Sequence, residues 1–459
     1  MVLGVRAIPF TFVAHVLAIL GVVFVLVWTL HFRGGFAWEA PNKSLIFNLH
    51  PFLMLVGFII IGGEAIISYK SLPLRKDVKK LIHLVLHAIA LVLGILGIYT
   101  AFKYHNESGI VNLYSLHSWL GIGIIVLYGI QWLYGFLVFF YPGGTIGLRS
   151  DSVPWHVVFG LTVFTLAVGN GAIGFLEKLT FLENTGLAKY GSEALLVNFT
   201  AVITILFGAF LFYKDQDRGD RDFLVQRNMV LGVRAIPFTF VAHVLAILGV
   251  VFVLVWTLHF RGGFAWEAPN KSLIFNLHPF LMLVGFIIIG GEAIISYKSL
   301  PLRKDVKKLI HLVLHAIALV LGILGIYTAF KYHNESGIVN LYSLHSWLGI
   351  GIIVLYGIQW LYGFLVFFYP GGTIGLRSDS VPWHVVFGLT VFTLAVGNGA
   401  IGFLEKLTFL ENTGLAKYGS EALLVNFTAV ITILFGAFVI LSVLSQSPAE
   451  DDENSYSAI

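Results

Sequence analysis

Six apolar runs, at about 8–31, 45–69, 79–102, 113–141, 153–176 and 193–213, are each long enough to cross the roughly 30 Å hydrocarbon layer of a bilayer. Inside lipid every backbone N–H and C=O must find its partner within the protein, so only helices and closed barrels can span. Uninterrupted runs of this length select the helix. A soluble domain carries about 25% charged residues, whereas this chain of 459 residues carries 11%, with 58% hydrophobic. It reads as an integral membrane protein. The first run is too long for a signal-peptide core and lacks a clear small-residue cleavage site.

The same unit is written twice. Residues 1–210 recur unchanged as 229–438, each copy opening on its own methionine, Met1 and Met229; the tails Leu211–Asn228 and Val439–Ile459 differ. Each copy therefore reads as complete. The expected division is a first unit at 1–212, a polar linker at 213–228, a second unit at 229–443 and an acidic tail at 444–459. The connection Lys70–Lys80 carries Lys70, Arg75, Lys76, Lys79 and Lys80 against Asp77 alone. Positive loops stay on the cytosolic side, which places both termini of each copy there too. An even number of spans lets the second copy insert as the first does. The linker Tyr213–Asn228 is expected in the cytosol, as is the tail from Ser447, which is too acidic to fold. A linker of about 16 residues reaches roughly 50 Å when extended, enough for the copies to form an intrachain pseudo-dimer.

The net charge of +4 comes from short basic loops, too sparse for a nucleic-acid surface. Cysteine is absent, which excludes disulfides, iron–sulfur clusters, thiolate ligands and covalently attached haem. Histidine is the informative residue. His50, His83, His117 and His156 each sit near the end of a different run, and recur as His278, His311, His345 and His384. An ionisable group in a spanning helix costs about 2.5–3.5 kcal/mol or more and marks a functional site by default. On the topology above, His50 and His117 lie near the outer ends of spans 2 and 4. His83 and His156 lie near the cytosolic ends of spans 3 and 5. Each is followed at helical spacing by small or polar residues, such as Gly121, Tyr128, Gln131 and Gly135 after His117, or Gly160, Ala167, Asn170 and Gly174 after His156. Such stripes let helices approach closely or leave room for a flat macrocycle. Two imidazoles at one depth suit six-coordinate ligation of a b-type haem iron, which carries electrons and leaves no open position. His15 and His31 read as ordinary membrane histidines, and His87 is open between packing and support of His83.

At Ser115-Leu116-His117-Ser118-Trp119 the chain resembles the cytochrome b561 family, most closely its plant type. Glu64-Ala65-Ile66-Ile67-Ser68-Tyr69-Lys70 is similar in part to a cytosolic motif of that family, departing at Ser68 and Lys70. The resemblance covers both copies except the tails. It implies an all-α membrane protein with six transmembrane helices per copy, in which helices 2–5 form a central four-helix haem-binding bundle. It implies haem b, two per unit and four per chain: His50 with His117 (His278 with His345) as axial ligands of the outer iron, and His83 with His156 (His311 with His384) of the cytosolic one. The implied activity is that of an ascorbate-dependent transmembrane oxidoreductase, passing electrons from cytosolic ascorbate to outer monodehydroascorbate or a ferric chelate. A homodimer or pseudo-dimer in a vacuolar or plasma membrane is implied as well.

Ascorbate is a monoanion, so its site needs cations beside the cytosolic ligands. Lys79, Lys80 and Arg149 (Lys307, Lys308 and Arg377) are the candidates, with Lys80 and Arg149 as the contacts that matter most. On the outer side a loop holding Tyr104, His105 and Asn106, followed by Tyr114 (Tyr332, His333, Asn334 and Tyr342), is the candidate acceptor site. His105 and His333 titrate near neutrality and suit proton transfer there. The sequons at Asn42 and Asn106 lie too near the membrane for ready glycosylation. Competing readings are a metal-ion transporter using intramembrane His and Glu64, an NADPH-linked reductase, and a purely structural bundle. Transport sites gather near the midplane, where these spans are apolar. A nucleotide-binding domain has no room here, and a structural bundle leaves the polar stripes unexplained.

Overall fold

A computed structural model describes residues 8–215, 231–234 and 236–446. The described residues divide into two compact units, one within 8–215 and the other within 231–446. Among the described residues, twelve helices are long and apolar enough to cross a membrane. The first unit has α1 (Thr11–Phe32), α2 (Ser44–Tyr69), α3 (Lys76–Ser108), α4 (Leu116–Phe139), α5 (Ile146–Asn184) and α6 (Ser192–Ala209). The second has α7 (Ile236–Phe260), α8 (Ser272–Tyr297), α9 (Lys304–Ser336), α10 (Leu344–Phe367), α11 (Ile374–Asn412) and α12 (Ser420–Val443). It adds a short parallel pairing of Leu231–Arg234 with Ser445–Gln446. Helix continues from α6 through Asp215. The rest of the expected linker and the tail from Ser447 lie outside the described residues.

Several helix ends follow from local chemistry. Ser115 caps α4, its hydroxyl accepting from the Ser118 N–H at 3.4 Å, and Thr145 caps α5 by accepting from Leu148 at 3.3 Å. Such caps satisfy amides that a first helical turn leaves free. Gly109, at φ +67, ends α3 in the left-handed conformation that glycine adopts without strain. That stop comes later than hydropathy alone predicts. Lys103, Tyr104, His105 and Asn106, expected in a loop, instead form the last turns of α3. A Lys103–Glu107 pair at 2.8 Å, spaced i to i+4, favours the extension. At the other end α3 starts at Lys76, so Lys79 and Lys80 are helical as well.

Within the first unit α2, α3, α4 and α5 pack side by side and α5 returns to α2, closing a four-helix bundle; α1 and α6 pack against each other along its flank. Close approach depends on glycine. A Cβ on Gly94 of α3 would lie 2.9 Å from the Phe58 ring of α2, and one on Gly97 would lie 2.9 Å from Met54 Sδ. Helix α2 is not uniform: Leu53–Ile60 winds as π-helix, a form that often accompanies functional sites. Just before it, Asn48 donates to the carbonyls of Arg33 at 3.1 Å and Gly35 at 2.7 Å, fixing the outer start of α2 to the α1 connection. On the flank, Glu193 of α6 accepts from Trp28 at 2.9 Å and pairs with Arg33. The second unit repeats this arrangement within itself, Glu421 accepting from Trp256 and pairing with Arg261.

Candidate haem-binding and substrate sites

The bundle brings the four histidines into two pairs. His50 of α2 faces His117 of α4, ring centres 5.9 Å apart and planes at 84°. His83 of α3 faces His156 of α5 at 6.4 Å and 64°. In the second unit His278 and His345 stand 5.9 Å apart, and His311 and His384 6.2 Å. A metal–imidazole bond is about 2.0–2.1 Å, so two imidazoles gripping one ion set their ring centres roughly 6–6.5 Å apart. All four pairs match that spacing.

In three of the four rings of a unit the other nitrogen supports the same reading. Nδ1 of His50 donates to the Gly97 carbonyl at 2.8 Å, that of His83 to Ala65 at 3.0 Å, and that of His117 to Asn170 at 3.1 Å. Metal-bound imidazoles are held in this way through the nitrogen that does not bind. His156 differs: the Gln131 amide nitrogen lies 2.9 Å from its Nδ1 but donates to the His156 carbonyl at 2.7 Å, fixing that residue through its backbone. The small residues of the stripes seat the imidazoles themselves: a Cβ on Gly174 would come 2.6 Å from His117 Cε1, and one on Gly135 2.9 Å from His156 Cε1. Beside His117 a narrow apolar cleft runs between Met54, Phe58, Ile124, Ala167 and Asn170. The side-chain oxygen of Asn170 is buried there without a hydrogen-bond partner, as is that of Asn398.

His87 packs its ring 4.3 Å from His83 and bonds the Tyr128 hydroxyl, which places it in support behind His83. His15 lies elsewhere, its Nε2 3.1 Å from Glu64 of α2. His31 rests edge-on against Phe32.

At the end of the bundle that carries His83 and His156, Lys80 lies near enough to Lys76 and Arg149 for their charges to act on it. Lys79 Nζ stands 5.8 Å from the Tyr69 ring centre, and that ring is 5.4 Å from His83. The Arg149 guanidinium folds over Gly143, and its Nε is buried without a hydrogen-bond partner; Arg377 repeats this. At the opposite end His105 Nδ1 is 3.1 Å from Asn112 Oδ1, and the Asn112 amide donates to Asn106 at 2.8 Å. Tyr104 packs on Phe47 at 5.1 Å, and Phe47 on His50 at 5.7 Å. Tyr114 is only 6% exposed, which leaves little of it for a soluble partner to touch. Their counterparts Lys307, Lys308, Tyr332, His333, Asn334 and Tyr342 occupy the same positions on α9 and before α10.

One residue near the outer pair went unpredicted. Lys178 of α5 holds its ammonium 4.2 Å from the Phe47 ring centre and 5.9 Å from that of Tyr104. The signal was available, because Lys178 follows Asn170 and Gly174 at the same four-residue interval.

Paired imidazoles inside an apolar bundle mark a multi-pass membrane protein with two facing histidine pairs per unit. A profile of the family described as eukaryotic cytochrome b561 matches residues 49–182 and again 277–410. The chain belongs to that family, whose cofactor is b-type haem. Among its relatives, "Transmembrane ascorbate ferrireductase 1" of Arabidopsis thaliana is 66% identical over 239 residues, covering 50% of this chain and 100% of the relative. "Probable ascorbate-specific transmembrane electron transporter 1" of Oryza sativa subsp. japonica is 62% identical over 224 residues, 49% of this chain and 96% of the relative. The mouse "Transmembrane ascorbate-dependent reductase CYB561" is 37% identical over 209 residues, 44% of this chain and 81% of the relative. Half of this chain thus corresponds to one whole plant relative.

Proposed function

We propose that each unit is an ascorbate-dependent transmembrane oxidoreductase that takes electrons from cytosolic ascorbate and delivers them to outer monodehydroascorbate or a ferric chelate. The observation that carries this reading is the pairing of four imidazoles at bis-ligand spacing on four helices of one bundle. The names of the relatives supply the donor. His50 with His117, and His83 with His156, would hold two haems b per unit, four per chain. When bound, these supply one-electron chemistry at two depths with no vacant coordination position.

The residues of the chain do the rest. Lys80 and Arg149 present positive charge to the ascorbate monoanion, and the unpartnered Arg149 Nε offers it a donor. His105, held by Asn112 at 3.1 Å, is placed to exchange the proton that accompanies reduction or oxidation at the outer face. The basic Lys70–Lys80 connection supports a cytosolic position for Lys80 and for both termini. A vacuolar or plasma membrane, and pairing of units as a dimer or within the chain, complete the proposal. The transporter alternative needs several ligands around one ion; among the described residues no group of three or more His, Asp or Glu is so placed.

Ascorbate titration of the purified chain, followed by absorbance with haem counted per polypeptide, tests the reading. Reduction of b-type bands at four haems per chain is expected. His83→Ala with His311→Ala should halve that count and abolish reduction by ascorbate while the outer haems remain. A colourless protein from haem-replete cells would falsify the proposal.

A further inference from the structure

Several cations at the outer end of each unit are matched by acids. Lys103 pairs with Glu39 at 2.5 Å and Glu107 at 2.8 Å, Lys43 with Glu107 at 2.6 Å, and Arg33 with Glu193. Lys178 is different. Glu177 and Glu193 are close enough for their charge to reach it, but among the described residues it has no ion pair, only the faces of Phe47 and Tyr104. A largely desolvated ammonium without a counter-ion is costly. Lys406 stands in the same state in the second unit, 4.2 Å from the Phe275 ring centre and 6.0 Å from that of Tyr332.

Position says what the missing partner is. On α5 the Asn170 carbonyl accepts from His117, and one turn further out Gly174 lies against the same imidazole. Lys178 comes one turn beyond, on the same face. Phe47, whose ring it covers, lies 5.7 Å from His50, the other member of the pair. The cation therefore sits outward of the outer histidine pair, on α5 against Phe47 of α2 and Tyr104 of α3. Haem b is an apolar disc except for one edge, which bears two carboxylates. From this geometry we infer that Lys178 and Lys406 are the counter-ions for a carboxylate of the outer haem. Through that ion pair they fix the rotation of the macrocycle and hold the centre's reduction potential up, since a nearby positive charge favours the reduced, less positive iron.

The inference rests on the haem reading above, and the test separates the two. Full-length chain carrying Lys178→Met with Lys406→Met is compared with Lys178→Arg with Lys406→Arg. Haem content, a potentiometric titration without ascorbate or acceptor, and resonance Raman of the haem carboxylate modes are recorded. The methionine variant should show a lower potential for one haem class only, with that class's carboxylate band shifted; the arginine variant should recover both. If methionine empties the outer centre, recovery of haem with arginine supports the assignment and failure to recover it overturns it. Unchanged potentials and bands overturn it as well. So does weaker use of anionic ferric chelates with no change in the haem signals, which would assign the cation to the acceptor. A parent chain without haem removes the functional proposal itself.

Discussion

An imidazole becomes a dependable ligand only when its ring is held from behind, and here the holders differ. Three of the four donate to a backbone carbonyl, whereas His156 is fixed through its own carbonyl, which accepts from the Gln131 amide. A carbonyl cannot be mutated away, but an amide can. Loss of such a partner typically costs about 10–100-fold in affinity, so Gln131→Leu with Gln359→Leu should speed haem loss from the cytosolic centre by about that factor. Transfer to a haem-scavenging protein measures it, and the outer centre should keep the parental rate. Ser115→Ala removes the α4 cap two residues before His117 at a cost of about 1 kcal/mol, which thermal unfolding of the holoprotein should register as a lower midpoint. At this scale the histidines that pair were legible because ionisable residues are so rare in such helices. The helpers were less so: Gln131 stood visible in a stripe without a stated task, and Lys178 was not singled out.

Helices could be placed from hydropathy, but their limits could not. Apolar length marks where lipid is crossed, while polar signals such as Thr145 and Gly109 decide where winding starts and stops. That is why α3 and α5 outrun their apolar cores, and why Tyr104, His105 and Asn106 turned out helical. The π-helical stretch of α2 left no sequence sign, since Leu53–Ile60 is as apolar as its neighbours. Glycine stripes were ambiguous between helix packing and room for a macrocycle. The structure gives Gly135 and Gly174 a narrower task, seating the imidazole from the next helix. Gly174→Val with Gly402→Val should therefore empty the outer centre by displacing His117 and His345, leaving the cytosolic centre reducible by ascorbate. Equal loss from both centres would contradict that local role.

For the whole molecule, the exact repeat makes each unit self-sufficient in ligands, cations and packing, and each plant relative matches only one of them. A chain ending at Asn228 should accordingly bind two haems and give the same spectrum per haem as the full protein. A half chain that stays colourless while the whole is coloured would show that one unit depends on the other. The divided architecture was plain from the repeat, whereas nothing in the letters could have given the ring spacings.

Helix α5 carries His156 of one histidine pair and further along braces His117 of the other, through Asn170 and Gly174. A rod shared in this way ties the fates of both chromophores together. Until it has docked along its full length neither histidine pair is set, so docking of this helix should precede haem capture at either centre.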